Sequence, residues 1–204
     1  MLPQSATQNS ISVPPVQALE LPRQEPSNGQ VFKRIAAPNF SLRDDRNVLH
    51  QLSARRGQFT VIYFYPADNT PGCVAEACAF RALYEFFKET EVEVWGISPQ
   101  GPQSKAGFRE KYQLPFTLLA DVDRTVAGFY GADPAVEDPL ELDQSPSLWR
   151  AVSKWFRLTR RISFLVAPDG MIVRYWPKVN PKEHASLVWA ALQEEQRRWL
   201  LVNH

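Results

Sequence analysis

The chemically capable residues of this chain are first of all its two cysteines, Cys73 and Cys78, which stand five positions apart in the stretch VIYFYPADNTPGCVAEAC at residues 61–78. Thr70 is a preferred N-cap and Pro71 suits the first helical position, so a helix is expected to begin there and to carry Cys73 at its third residue. Unpaired backbone N–H groups and the positive end of the helix dipole surround a sulfur in that first turn, and they favour the nucleophilic thiolate. A buried structural cysteine is the alternative, and it fits a mid-helix site better than a first turn after a Thr-Pro-Gly loop. Cys78 lies farther along the same expected helix. Five helical residues rise about 7.5 Å and rotate about 140°, which puts the two Cα atoms roughly 8–9 Å apart on different faces. A disulfide spans at most about 7 Å between Cα atoms, so joining this pair requires the first turns to unwind.

A thiol held this way needs a rigid strand beneath its loop. Val61-Ile62-Tyr63-Phe64-Tyr65 is an unbroken β-branched and aromatic run that stops at Pro66, and it reads as a buried strand central in a parallel sheet. After the cysteine, Phe80, Leu83, Tyr84 and Phe87 recur at helical spacing to about Lys88. Upstream, Phe40-Ser41-Leu42 reads as a short edge strand and Asn47 to Arg56 as a short helix. Downstream, Glu91 to Ile97 reads as a strand near an edge or beside a helix. Ser104 to Tyr112 follows as a helix, Phe116 to Leu119 as a strand and Arg124 to Tyr130 as a helix. Arg161 to Val166 and Met171 to Trp176 are expected to pair as a hairpin through Pro168-Asp169-Gly170. Asn180-Pro181-Lys182-Glu183 is a capping-box start for a last helix, with Ala185, Val188, Trp189, Leu192 and Trp199 as its apolar face. Strands alternating with helices indicate the α/β class with a mixed central sheet flanked by helices.

Composition narrows the function classes. At 204 residues and 44% hydrophobic content, the chain suits one domain with a substantial core. A formal net charge of +1 offers no electrostatic case for nucleic acid as a partner. Two cysteines and three histidines, His50, His184 and His204, are too few and too scattered for a structural zinc site, and no metal or cofactor is expected. Residues 1–30 carry Pro3, Pro14, Pro15, Pro22 and Pro26 among Gln, Ser and Asn, and read as a disordered tail before a domain over residues 31–204. That tail lacks a charged region followed by an apolar core, and no stretch approaches membrane-spanning length. The protein is therefore read as cytoplasmic, where a cysteine pair is more often catalytic than structural.

Pro66-x-x-x-Thr70-x-x-Cys73, with Cys78 five residues on, resembles the active-site signature of the peroxiredoxins, and within them the Q class, the bacterioferritin comigratory protein family. The resemblance continues through Ala37-Pro38-Asn39-Phe40-Ser41-Leu42, Gly96-Ile97-Ser98, the stretch from Leu114 to Asp121, and Arg161-Ile162-Ser163-Phe164, so it covers about residues 31–131 and 159–195. It implies the thioredoxin fold and a thiol-dependent peroxidase acting on hydrogen peroxide and organic hydroperoxides. In that family Cys73 would be the peroxidatic cysteine and Cys78 the resolving one. Their intramolecular disulfide would be reduced by thioredoxin or a similar dithiol protein. The resemblance also gives the Thr70 hydroxyl a hydrogen bond toward peroxide or thiolate, Pro66 a shielding role, and Arg161 the place of the active-site cation. Alternation along a strand turns Arg160 and Arg161 to opposite sides, so only one reaches the pocket. Glu76 is expected to pair with Arg161. Two departures from the Q class stand nearby: Ser98-Pro99-Gln100 replaces a common Ser-x-Asp, and Lys105 replaces a frequent histidine. Both are expected to affect loop structure more than activity. Members of the class are often monomers, and a monomer is expected here.

The most divergent segment is residues 132–160, acidic at first and then carrying Leu148, Trp149, Val152, Trp155 and Phe156 at helical spacing among Arg150, Lys154, Arg157 and Arg160. Such a helix can lie on a membrane surface, but more often it packs on its own domain, which is the expectation here. Two further functions compete with the peroxidase. A disulfide oxidoreductase normally uses Cys-x-x-Cys, whereas this chain has four residues between its cysteines. A redox-gated binding module would use the same pair without turnover, and Thr70 and Arg161 speak against it.

Overall fold

The computed structural model describes residues 34–133 and 158–203; the expected tail at 1–30 and the tryptophan-bearing helix from Leu148 to Phe156 lie outside them. In chain order the elements are β1 (Ile35–Ala36), β2 (Ser41–Asp44), β3 (Leu49–Gln51), a 3-10 turn (Leu52–Arg55), β4 (Thr60–Phe64), α1 (Pro71–Glu89), β5 (Glu93–Ser98), α2 (Pro102–Tyr112), β6 (Thr117–Ala120), α3 (Thr125–Phe129), β7 (Ile162–Val166), β8 (Met171–Trp176) and α4 (His184–Asn203). Among the described residues the strands form one eight-stranded sheet in the order β1-β8-β7-β4-β5-β6-β2-β3. This is the expected α/β architecture with a mixed sheet.

β4 is the spine. All five of its residues are buried, because both faces of the sheet are covered. Val61 and Tyr63 pack on one face with Phe80 and Phe87 of α1, Phe108 of α2, and Val188 and Leu192 of α4. Ile62 and Phe64 pack on the other with Phe40, Val126, Tyr130 and Phe164. Each fully buried aromatic or aliphatic side chain contributes about 1.5–3 kcal/mol, so this two-sided core is what makes the loop after β4 a fixed platform. Gly96 of β5 leaves room for the Tyr63 ring to lie over it, since a Cβ there would meet the Tyr63 hydroxyl oxygen at 2.6 Å.

Several expectations are corrected. β4 is parallel to β5 but antiparallel to β7, so it is central in a mixed sheet rather than a parallel one. Phe40-Ser41-Leu42 is not an edge: β2 runs Ser41–Asp44 between β6 and β3, and β3 takes the edge. Asn47 to Arg56 is not a helix but β3 followed by the 3-10 turn. The cause is Asp44, whose Oδ1 accepts the N–H groups of Arg46 and Val48 at 2.9 Å each, while Asn47 turns through a φ of 64°. An Asx-type turn of this kind closes a hairpin where helical spacing of apolar residues would otherwise suggest a helix. β5 lies inside the sheet, between β4 and β6, because Glu91 precedes the strand and only Glu93, at its mouth, is charged. The last helix begins at His184. The Asn180 side chain accepts from the Lys182 N–H at 3.2 Å, and the Asn180 carbonyl accepts from the His184 N–H at 3.0 Å.

Candidate active site

Phe64 ends β4 and the chain leaves the sheet through Pro66 to Thr70, with Asn69 in the left-handed region at a φ of 61°. Asparagine tolerates that conformation better than most residues. α1 then starts at Pro71, with Thr70 extended as its N-cap, and the Thr70 carbonyl accepts the first helical bond from the Val74 N–H at 2.9 Å. Cys73 is the third helical residue, as the spacing requires, and its side chain faces inward at 1% exposure. The Thr70 side chain does not cap the helix. Its hydroxyl donates to the Ala67 carbonyl at 3.2 Å, which fixes the loop. Pro66 is half-buried at the mouth of this loop. Cys78 is half-buried on the same unbroken helix, and both cysteines are free thiols.

The cation at the sulfur is Arg161. β7 runs antiparallel to β4 with Ile162 opposite Phe64, so the residue before Ile162 comes level with the loop that follows β4. Arg161 Nη2 donates to Cys73 Sγ at 3.3 Å, and Nη1 donates to Glu76 Oε2. Gly72 permits this approach, since a Cβ at that position would lie 3.2 Å from Arg161 Nη2. Arg160 faces elsewhere, as alternation predicts, and its Nη1 donates to the Gly131 carbonyl at 3.2 Å. Burial pushes the Arg161 guanidinium down, but Glu76 and Cys73 more than offset it and its pKa is raised. The guanidinium is thus a permanent positive charge beside the thiol.

Glu76 is the keystone of this arrangement, and His184 is the member that sequence reasoning missed. The Glu76 carboxylate is fully buried, one turn after Cys73, and its Oε1 accepts from His184 Nδ1 at 2.7 Å. His184 is itself fully buried, its ring edge-on to Phe80 at 5.2 Å and to Trp176 at 6.0 Å. Its other nitrogen, Nε2, is buried without a hydrogen-bond partner among the described residues. The Nδ1 contact makes Nδ1 the protonated donor. No pattern in the sequence could have found this pair, because 108 positions separate the two residues.

A second buried polar cluster lies on the other side of the loop and joins the two departures noted above. Lys105 of α2 is fully buried, donating from Nζ to Asp68 Oδ1 at 2.9 Å and to Ser98 Oγ, over the ring of Tyr65 at 5.0 Å. Asp68 also accepts from the Tyr65 hydroxyl at 2.7 Å and from Ser104 Oγ at 2.6 Å. Gln100 Oε1 accepts from Ser98 Oγ at 2.7 Å and from the Asp68 N–H at 3.3 Å. Burial pushes the Lys105 ammonium down to about 8 against the pull of Asp68, and burial pushes the Tyr65 phenol well up. No helix among the described residues is long and apolar enough to cross a membrane.

The arrangement can do nucleophilic redox chemistry: a first-turn thiol, a charged donor on its sulfur, and a second thiol on the same helix. Known proteins agree. The profile of the AhpC/TSA family matches residues 34–175. A putative peroxiredoxin bcp of Coxiella burnetii is 36% identical over 152 residues, covering 74% of this chain and 92% of that protein. Peroxiredoxin Q, chloroplastic, of rice (Oryza sativa subsp. japonica) is 50% identical over 103 residues, and there the chain spans about half of the relative, 48% of its length. Among solved structures, the bacterioferritin comigratory protein of Xanthomonas campestris, studied for its alkyl peroxide reduction activity, superposes with a TM-score of 0.64 at 28% identity, covering 76% of this chain and 91% of that one. The peroxidoxin BcpB of Mycobacterium tuberculosis gives a TM-score of 0.65 at 26% identity, covering 79% and 96%. The sheet and its flanking helices are those of the thioredoxin fold.

Proposed function

The chain belongs to the AhpC/TSA family, and from that membership we propose that it is a thiol-dependent peroxidase of the peroxiredoxin Q type. The observation that carries the proposal is the 3.3 Å contact from Arg161 Nη2 to Cys73 Sγ in the first turn of α1. A guanidinium there stabilises thiolate and can donate to the oxygen that gains negative charge as the O–O bond breaks. The Cys73 thiolate attacks the nearer peroxide oxygen and the S–O bond forms. The O–O pair departs with the other oxygen, which takes a proton and leaves as water or an alcohol, while the sulfur becomes sulfenic acid. Pro66 shields this step from bulk water, and the Thr70 hydroxyl, which donates to the Ala67 carbonyl in the resting loop, turns to hydrogen-bond the bound peroxide. Hydrogen peroxide and organic hydroperoxides are the substrates, in keeping with the alkyl peroxide activity of the Xanthomonas relative.

Cys78 is the resolving thiol. Its sulfur displaces the hydroxyl of the Cys73 sulfenic acid, forming the disulfide and releasing water. Both residues lie within the continuous helix Pro71–Glu89, so their Cα atoms stand roughly 8–9 Å apart and the first turns must unwind first. The opened segment presents the disulfide to thioredoxin or a similar dithiol protein, which returns both cysteines to thiols. The enzyme works as a cytoplasmic monomer in this reading. The test is peroxide consumption coupled to a thioredoxin system. Wild type should turn over and Cys73→Ser should not; retention of a tenth of the wild-type rate by Cys73→Ser would overturn the assignment.

A further inference from the structure

The Asp68 cluster takes no part in the redox steps above, yet it grips the turn that delivers Cys73. Asp68 lies two residues before Thr70, and the structure ties it to three elements outside that loop. Tyr65 reaches it from the end of β4, Ser104 and Lys105 from α2, and Gln100 from just beyond β5. Its side chain is 2% exposed and that of Lys105 is 0% exposed. The Cys73 sulfur thus sits between two clamps. Arg161, itself held by Glu76 of α1, grips it from the start of β7, and Lys105 of α2 holds the base of its loop. Lys105 also feels the charge of Cys73 electrostatically.

We propose that Lys105 is a positioning residue for the two-cysteine chemistry: by pinning Asp68 it keeps the loop and first turn closed for peroxide attack, and the strength of that hold sets how often the segment opens toward Cys78. The inference rests on the peroxidase reading and names the residue that governs its conformational step. Opening returns Asp68 and Lys105 to water, so a buried pair holds the loop reversibly. Removing only the cation leaves Asp68 enclosed with its Tyr65 and Ser104 hydroxyl donors but no counter-charge, which disfavours the closed state. When the closed state is the large majority, a shift in the equilibrium multiplies the open population and hardly changes the closed one. The two chemical steps should therefore respond differently to the same substitution.

The experiment is rapid-quench mass spectrometry of the full chain with hydrogen peroxide, resolving sulfenic acid formation at Cys73 from formation of the Cys73–Cys78 disulfide. Lys105→Met is expected to speed the disulfide step about tenfold while slowing the peroxide step by no more than about threefold. Lys105→Arg, which keeps the cation, should return the disulfide step toward the wild-type rate. If Lys105→Met does not fold, Ser104→Ala decides the matter, because losing the 2.6 Å donor to Asp68 should speed the same step by a smaller factor. An unchanged or slower disulfide step in Lys105→Met, or in Ser104→Ala where that variant stands in for it, would overturn the proposal. So would Lys105→Arg behaving as Lys105→Met does. A wild-type protein whose Cys73 does not react with peroxide would instead overturn the peroxidase reading.

Discussion

Replacing Arg161 separates the two adjacent arginines by function. Arg161 places one charged hydrogen bond on Cys73 Sγ at 3.3 Å and another on the fully buried Glu76. A hydrogen bond to a charged group is worth about 1.5–3 kcal/mol. If the bond to sulfur strengthens as charge moves onto peroxide oxygen, its loss slows the attack by about 10- to 150-fold. Arg161→Ala also strips the cation from Glu76, and breaking a buried pair costs about 3–5 kcal/mol of stability; the remaining His184 contact argues for the lower end. Arg161→Lys isolates the chemistry, because one ammonium keeps the charge near Glu76 but cannot fork to the sulfur as well. It should fold normally and lose about tenfold in the peroxide step. Arg160→Ala removes a donor to the Gly131 carbonyl and should cost about 0.5–1.5 kcal/mol of stability with the peroxide step unchanged. Stopped-flow oxidation under excess hydrogen peroxide measures the step, and urea titration measures the stability. A loss in Arg160→Ala equal to or larger than that in Arg161→Lys would refute the assignment of the active-site cation.

Cys78→Ser should still consume one equivalent of peroxide, but its sulfenic acid should persist or over-oxidise, and thioredoxin-coupled turnover should fall at least about tenfold; full coupled activity would make Cys78 a bystander. In wild type, disulfide formation should lower helical circular dichroism and speed amide exchange across residues 72–80, and a disulfide formed without either change would contradict the unwinding step. His184→Ala removes the buried donor to Glu76 and should cost about 1.5–3 kcal/mol in urea denaturation. Asp121 supplies a pH test. Burial raises its carboxyl from 3.8 to about 6, against the pull of the Ala127 and Val126 N–H groups, so the folded state keeps this proton longer than the unfolded one. Its contribution is fully present below about pH 4, is lost as pH rises through about 6, and amounts to a few kcal/mol. The stability of Asp121→Asn relative to wild type should accordingly improve between pH 4 and 7, and a constant difference would contradict the raised value.

Local signals carried well from sequence to structure, and long-range ones did not. The β4 strand, the helix start at Pro71, the third-residue place of Cys73 and the opposed directions of Arg160 and Arg161 each depend on a few adjacent residues, and each is found where spacing puts it. The place of a strand within the sheet depends on partners far along the chain, which is why β2 reads as an edge strand although it is interior. The hairpin of β2 and β3 was misread because one side chain, Asp44, outweighs the helical spacing around it. Buried charges are the hardest case. Burial is a property of the folded whole, and nothing near Lys105 or His184 in sequence announces that a lysine will be enclosed against Asp68, 37 positions away, or a histidine against Glu76.

In the proposed mechanism Cys73 attacks peroxide and Cys78 then resolves it through an unwound helix. Rapid-quench peptide mapping of wild type after a single equivalent of hydrogen peroxide tests both halves at once. Sulfenic acid should appear at Cys73 first, far faster than a free thiol reacts, and then convert to a Cys73–Cys78 disulfide within one chain. First oxidation at Cys78, or a Cys73 rate no faster than that of a free thiol, would contradict it.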